Sequence, residues 1–306
     1  MNVVITGASG FIGHNVLLRA PKDWNIFAVY HSTPGLEAFV QQHGLTNVRP
    51  VKCDLMSASD LSALARTIGK KPDAMLYLAA NGDPALSAKR PRWDLELNTV
   101  AFVNTLEQCP ADHVVYVSSG AVYDGLKGDV TPATPCAPKL PYAISKLASE
   151  QYLQFFCERR GTVSSYVNVR FFGAYGPYEP ARKITTKWLQ ALAKGEREFV
   201  VRGDGRNLID FMHVDDAADG FLALTKAKGE RLTVDFASGT PVSINDIVAT
   251  MASTLGVEVT VRHEGTVAEY IEFRSADPTM RERFNAVPTI SFADGLKRLS
   301  GFLANN

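Results

Sequence analysis

The first half of the chain alternates two hydrophobic rhythms. Asn2–Thr6 is a short apolar run ending in a glycine turn, and the apolar segment 11–18 behind it predicts a helix. Asn25–Tyr30 and Val48–Lys52 predict a second and a third strand. Leu61, Leu64, Ala65 and Ile68 recur at i, i+3, i+4 and i+7, the stripe of an amphipathic helix. Residues 74–79 are almost wholly apolar, as a strand covered on both faces must be. Helix is predicted at 94–109, strand at 113–117, a long helix at 142–160 and strand at 163–170. Strands alternating with helices imply βαβ units and an α/β, doubly wound parallel sheet. Such sheets bind ligands beyond the carboxyl ends of their strands.

After Arg170 the rhythm changes. Residues 173–181 are rich in Gly and Pro, 183–193 read as helix, 203–207 as a turn, 215–227 as helix and 233–236 as strand. Ile244–Leu255 and 293–303 are further helices, and no internal repeat or low-complexity segment is visible. This pattern predicts a nucleotide domain with a smaller lobe assembled from late segments.

Composition narrows the class. The 306 residues are 46% hydrophobic and 21% charged, ordinary for a globular chain, so disorder and fibrous repeats are not expected. Lys+Arg and Asp+Glu both total 32, giving zero formal charge without like-charge blocks. Neither a nucleic acid nor an anionic membrane is therefore an expected partner. Apolar runs are too short to span a bilayer, and the N-terminus reads as a strand and not a leader. Cys53, Cys109, Cys136 and Cys157 lack metal-ligand spacing, so no metal is expected, and four scattered thiols suit a reducing cytoplasm.

Thr6-Gly7-Ala8-Ser9-Gly10-Phe11-Ile12-Gly13 follows the first strand and opens the first helix, with G-x-x-G-x-x-G spacing. Glycines there let the backbone approach a pyrophosphate, and the N–H groups of Phe11 and Ile12 at the helix start favour its charge. Gly13 lets helix and strand pack closely. The second strand ends Val29-Tyr30-His31-Ser32, with neither the carboxylate that holds adenosine ribose hydroxyls nor an arginine. Without an acid to repel a 2′-phosphate, the cofactor stays open between NAD and NADP. His31 and Ser32 are either donors to that phosphate or plain loop residues. Asp54, after the third strand, suits either the adenine or the capping of the next helix.

Tyr142-Ala143-Ile144-Ser145-Lys146 puts a phenol and an ammonium at i and i+4 on one helix face. A tyrosine ionises near pH 10, so a neutral-pH base needs about 4 kcal/mol of help. An ammonium and a cationic nicotinamide both push that way. Ser119 lies at the end of the predicted strand, either bonding a reacting oxygen or capping a turn. Glycine turn, strand-end serine and Y-x-x-x-K in this order are an improbable coincidence.

Those motifs, with CDL (53–55), LAA (78–80), Asn98 in LNTVAFVNTLE, VSSGAVYD (117–124), PYAISK (141–146), RFFGAYGP (170–177) and GDGRNLIDFMHVDD (203–216), resemble the extended short-chain dehydrogenases/reductases. More narrowly, the chain is similar to the NAD-dependent epimerase/dehydratase family acting on nucleotide sugars, across roughly its whole length. The resemblance implies a Rossmann-like NAD(P)-binding domain (1–170 with 208–240) and a smaller C-terminal substrate-binding lobe (171–207 with 241–306). It also implies a homodimer through a four-helix bundle of the helices near 94–109 and 142–160. By motif matching, Tyr142 is the base, Lys146 holds the ribose and tunes Tyr142, and Ser119 steadies the substrate oxygen. Leu55, Ala79, Ala80 and Phe172 would border the cofactor, Asn98 would join the relay behind it, and Asn81 and Gly173 would face substrate.

Departures from the family pattern narrow the reaction. Dehydratases carry an Asp-Glu pair after the Ser/Thr, where this chain has Gly120 and Ala121, so dehydration is disfavoured. The phosphate-gripping arginine of the family is replaced by Ile209; Arg202 and Arg206 either substitute for it or are solvated surface charges. His213 reads as a strand-end residue before a helix capped by Asp215. The expected activity is a nucleotide-sugar epimerase working through a transient keto sugar. The alternatives are an NADPH-dependent 4-keto-sugar reductase and, in another class, a non-catalytic dinucleotide-binding regulator.

Overall fold

A computed structural model describes residues 1–267 and 271–305. Seven parallel strands form the central sheet: β1 (Asn2–Thr6), β2 (Asn25–Tyr30), β3 (Val48–Lys52), β4 (Ala74–Tyr77), β5 (His113–Ser119), β6 (Ser165–Phe171) and β7 (Arg231–Phe236). Their order is β7-β6-β5-β4-β1-β2-β3, and the register pairs Val3 with both Ile26 and Ala74. Chain direction across the sheet therefore reverses between β1 and β4, where the strand ends open a crevice. Thr6 pins that crevice, its hydroxyl accepting from the N–H groups of Leu78 and Ala79, both at 3.1 Å. β4 is buried on both faces, which explains its lack of alternation, although it ends at Tyr77, two residues before the expected limit.

Each face of the sheet carries its own core. Val3, Ile5, Val16, Leu17, Ala217 and Phe221 fill one side, where the helices Phe11–Arg19 and Val214–Lys226 pack. Phe102, Leu106, Tyr77, Tyr116, Leu153 and Phe156 fill the other. A third core, with Trp188, Phe199, Ile247, Met251 and Leu296, belongs to late segments: helices Ile184–Ala193, Ile244–Leu255 and Phe292–Asn305 over the pair Glu198–Arg202 and Thr260–Glu264. A fourth, smaller cluster joins Val122, Tyr123 and Val130 to Phe273, where strand Glu272–Ser275 pairs with Lys127–Val130.

Two expectations need correction, and one helix is additional. The helix expected at 94–109 is instead Pro91–Leu95, a π-helical turn Glu96–Val100 and Ala101–Gln108. A helix at Leu36–Gln42, entered through left-handed Gly35 (φ 96°), was not foreseen. The helix after His213 is capped by His213 itself, whose Nδ1 accepts from the Asp215 N–H at 3.2 Å, and not by Asp215. No described helix is long and apolar enough to cross a membrane.

Candidate active site

The glycine turn is shaped by close backbone contact. Gly7 adopts φ +64°, and a Cβ there would lie 2.8 Å from the Ala79 nitrogen. A Cβ at Gly13 would lie 2.5 Å from the Gly7 carbonyl oxygen and 2.6 Å from that of Ala8. Gly13 is buried behind the turn, while Gly7 and Gly10 line a cavity of about 280 Å³. The helix starting at Phe11 has no side-chain cap. Phe11 and Ile12 border a second cavity beside the first. A bare helix N-terminus over a surface without Cβ atoms fits a dinucleotide pyrophosphate.

The first cavity gathers the residues expected around adenosine: His31, Ser32, Asp54, Leu55, Ala79 and Ala80. Tyr30, Thr33, Met56 and Leu97 are among the others that line it, none of them singled out for the site in the sequence. Asp54 does not cap the next helix. Ser57 does, accepting from the Asp60 N–H, which leaves Asp54 facing the cavity with His31 Nε2 at 3.9 Å from its carboxylate.

The second cavity, about 550 Å³, holds the residues expected to react. Ser119 at the end of β5 faces Tyr142 and Lys146 from the helix Pro141–Glu158. The Ser119 hydroxyl accepts from the Ala121 N–H at 3.1 Å, so it caps this turn while it also lines the cavity. Lys146 is buried, its ammonium 6.0 Å from the Tyr142 ring centre and 5.0 Å from that of Tyr116, donating to the Val117 carbonyl at 2.8 Å. Burial lowers Lys146 to about 8, against the opposing pull of Asp94 and Glu150. The expected depression of Tyr142 by Lys146 is not found in the protein alone. Burial pushes the phenol above its ordinary value, with Asp94 adding to the rise and a hydrogen bond with Ser119 opposing it. Were Tyr142 to act as a phenolate, a positively charged nicotinamide would have to supply the lowering.

Asn98 lies one layer behind the cavities and does not line them. Fully buried in the π turn, it accepts from the Asn81 N–H at 2.7 Å and donates to Asp94 at 2.9 Å and Ser145 at 3.2 Å. Ser145 in turn donates to Asp94 at 2.8 Å, so this network fixes the helix carrying Tyr142 and Lys146. Asn81 is consumed by the same network, its amide donating to Asp94 at 2.7 Å, and it is withdrawn from the substrate side.

The rest of the second cavity is largely apolar: Phe172, Ile209, Pro241, Ile271 and Phe273, with Gly173 at φ +151°. A Cβ at Gly120 would press to 3.0 Å from the Phe172 ring, so no carboxylate fits where a dehydratase needs one unless that ring moves. Arg202 and Arg206 do not line the cavity. Both are exposed, and Arg206 pairs with Asp204 at 2.6 Å. The cations at its rim are Arg182, 3.7 Å from Asp83, and Lys183, both missed in the sequence. They precede the helix Ile184–Ala193, whose first turn is held by buried Glu179 through Thr185 and Thr186.

Sheet order, glycine turn and a Ser–Tyr–Lys set at one crevice define an enzyme of the extended short-chain dehydrogenase/reductase class. The chain belongs to the NAD-dependent epimerase/dehydratase family, whose model matches residues 3–234. It is 26% identical to the UDP-glucose 4-epimerase of Mycolicibacterium smegmatis over 100% of this chain and 99% of that one. It is also 26% identical to the UDP-glucuronate 4-epimerase of Thermodesulfobacterium geofontis, over 99% and 96% of the two chains. The crystal structure of a UDP-glucuronic acid 4-epimerase from Bacillus cereus, in complex with UDP-glucuronic acid and NAD, has the same fold. It superposes with a TM-score of 0.87 at 22% identity, over 100% and 99% of the chains.

Proposed function

We propose that the protein is an NAD-dependent nucleotide-sugar 4-epimerase. The observation that carries this reading is the facing set Ser119, Tyr142 and Lys146 in a cavity with no carboxylate at Gly120 or Ala121. The names of the full-length relatives agree with it. Gly7, Gly10, Phe11 and Ile12 would hold the pyrophosphate, with His31, Ser32 and Asp54 around the adenosine. Bound NAD would supply the hydride acceptor and a positive ring that favours the phenolate. Tyr142 then takes the proton of the sugar hydroxyl and returns it at the end of the cycle. Ser119 donates a hydrogen bond to the same oxygen, and Lys146 keeps a positive charge near the phenol. The apolar wall of Phe172, Ile209, Ile271 and Phe273 offers the sugar few hydrogen bonds, which lets a keto intermediate turn over. Arg182 and Lys183 would meet the substrate diphosphate.

The same reading divides the chain into a cofactor domain (1–170 with 208–240) and a substrate lobe (171–207 with 241–306), supported by the central sheet falling almost wholly in the first. It also includes a homodimer. Ile144, Tyr152 and Phe155 are exposed apolar residues at i, i+8 and i+11 of one helix, and Leu95 is exposed on the neighbouring one, as a four-helix interface needs. The four unpaired cysteines support a cytoplasmic setting. The test is to incubate the purified protein with UDP-glucose and no added cofactor, following products by NMR. UDP-galactose forming without net reduced cofactor is expected; stoichiometric NADH or NADPH turnover overturns the reading in favour of a reductase.

A further inference from the structure

A buried polar chain runs between the reactive set and the substrate wall, and the chemistry above makes no use of it. Ser118 donates to Glu150, which follows Lys146 by one helical turn. Arg170, at the end of β6, grips Glu150 with Nη2 to Oε2 at 2.9 Å, the two side chains 7% and 3% exposed. Its Nη1 donates to the Tyr123 hydroxyl at 2.9 Å, and Tyr123 donates to Asp235 Oδ1 at 2.8 Å. The chain ends where Ser275 donates to Asp235 Oδ2 at 2.9 Å. Its two ends matter to the site. Tyr123 closes the turn Gly120–Tyr123 that Ser119 caps, and Ser275 closes the strand whose Phe273 lines the substrate cavity. The Phe273 ring stands 5.9 Å from Tyr123 and 6.1 Å from Phe172.

We propose that Asp235 is a positioning residue for the reaction: by accepting from Tyr123 and Ser275 together, its carboxylate ties the turn behind Ser119 to the substrate-facing strand that carries Phe273. The assignment rests on the epimerase reading only for which substrate reports it. Both carboxyl oxygens act as acceptors, which suits the ionised form. On protonation one carboxyl oxygen becomes a donor to the hydroxyl it faces, and both contacts lose the charge assistance that strengthens a hydrogen bond to a carboxylate. The clamp is therefore complete when Asp235 is ionised and loosened when it is neutral.

The surroundings put that change near neutrality. Burial raises Asp235 to about 7, and Asp277, whose carboxylate accepts the Asp235 N–H at 2.9 Å, adds to the rise. The hydrogen bonds from Tyr123 and Ser275 and the charge of Arg170 oppose it. Cys136 also faces the carboxyl, Glu150 lies behind Arg170, and Arg281 borders a small cavity beside it.

The experiment compares wild type, Asp235→Asn, Tyr123→Phe and Ser275→Ala in three measurements: conversion of UDP-glucose against pH, NADH affinity by fluorescence, and hydrogen-exchange protection of Glu272–Ser275 corrected for intrinsic rates. In wild type, kcat/KM and protection should both fall as pH drops through about 7. Asp235→Asn, neutral throughout, should be fixed in the loosened state, with KM raised about five- to tenfold at pH 8 and strand protection that no longer changes with pH. NADH affinity should not change, because the glycine turn lies outside the chain. Ser275→Ala, the mildest variant, should lose the strand protection and keep NADH binding even where Tyr123→Phe folds poorly. An unchanged KM with strand protection that still follows pH in Asp235→Asn, or protection insensitive to pH in wild type, overturns the proposal. If wild type converts no UDP-glucose, the epimerase reading fails, and the exchange measurement still decides the role of Asp235.

Discussion

The two cavities that meet at Leu78 and Ala80 are built in different ways. The cofactor side is made from strand ends and the turns that leave them: Gly7 after β1, His31 after β2, Asp54 after β3, Ala79 after β4. Each is placed by the sheet, and the sheet is placed by hydrophobic pattern. The substrate side is made from segments that meet only after folding, with Arg182, Ile209, Pro241 and Phe273 drawn from four separate stretches of chain. A parallel sheet thus fixes the chemistry rigidly, while the loops that choose the substrate can vary without disturbing it.

The comparison can be broken or sharpened by substitution. The largest effect is expected from Tyr142→Phe, which keeps the ring and removes the proton carrier; kcat should fall about 10³-fold with NADH affinity retained, measured by steady-state assay and fluorescence titration. Gly13→Ala comes next. Its Cβ would meet carbonyl oxygens at 2.5 and 2.6 Å, so the turn must open. NADH affinity should fall by roughly 30-fold and the melting temperature should drop, since overpacking of this kind costs about 1–3 kcal/mol. A pH profile gives a third outcome. Lys146 titrates at about 8, so kcat should decline as pH rises through that value and the ammonium loses its proton. Loss of that limb in Lys146→Met, with little residual rate, would tie it to this residue. The smallest effects belong to the substrate rim. Arg182→Ala and Lys183→Ala should each raise KM for a UDP-sugar about three- to tenfold with kcat nearly unchanged, because exposed charges act weakly through solvent. If Arg206→Ala does the same and the rim variants do not, the division between the two sides is wrong.

What could be read from the sequence follows the same line. β2 matched its expected limits because an unbroken apolar run flanked by polar turns admits few other readings, while β3 matched on Val48 and Val51 alone, around Arg49 and Pro50. Ile244–Leu255 matched because Ser243 and Asp246 form a capping box and Gly256 ends the helix in a left-handed turn. The π turn was invisible, since Glu96–Val100 carries an ordinary helical composition and its distortion is set by Asn98 reaching Asp94 and Asn81. Arg202 and Arg206 were attractive for their nearness in sequence to the family motif. The pairing of Glu198–Arg202 with Thr260–Glu264, across some sixty residues of chain, is what holds them away from the site. The upward push on Tyr142 was missed for a related reason: burial depends on everything packed around the phenol, and the spacing to Lys146 reports only one neighbour.

The widened turn at Glu96–Val100 makes this stretch intolerant of length changes. Removing a single residue there would let the backbone close into ordinary helix and would look harmless in a composition profile, yet everything upstream would be drawn along the axis by about 1.5 Å, one residue's rise. Asp94 would then leave Ser145, and the scaffold beneath the phenol would lose its anchor from a deletion that touches no reacting group.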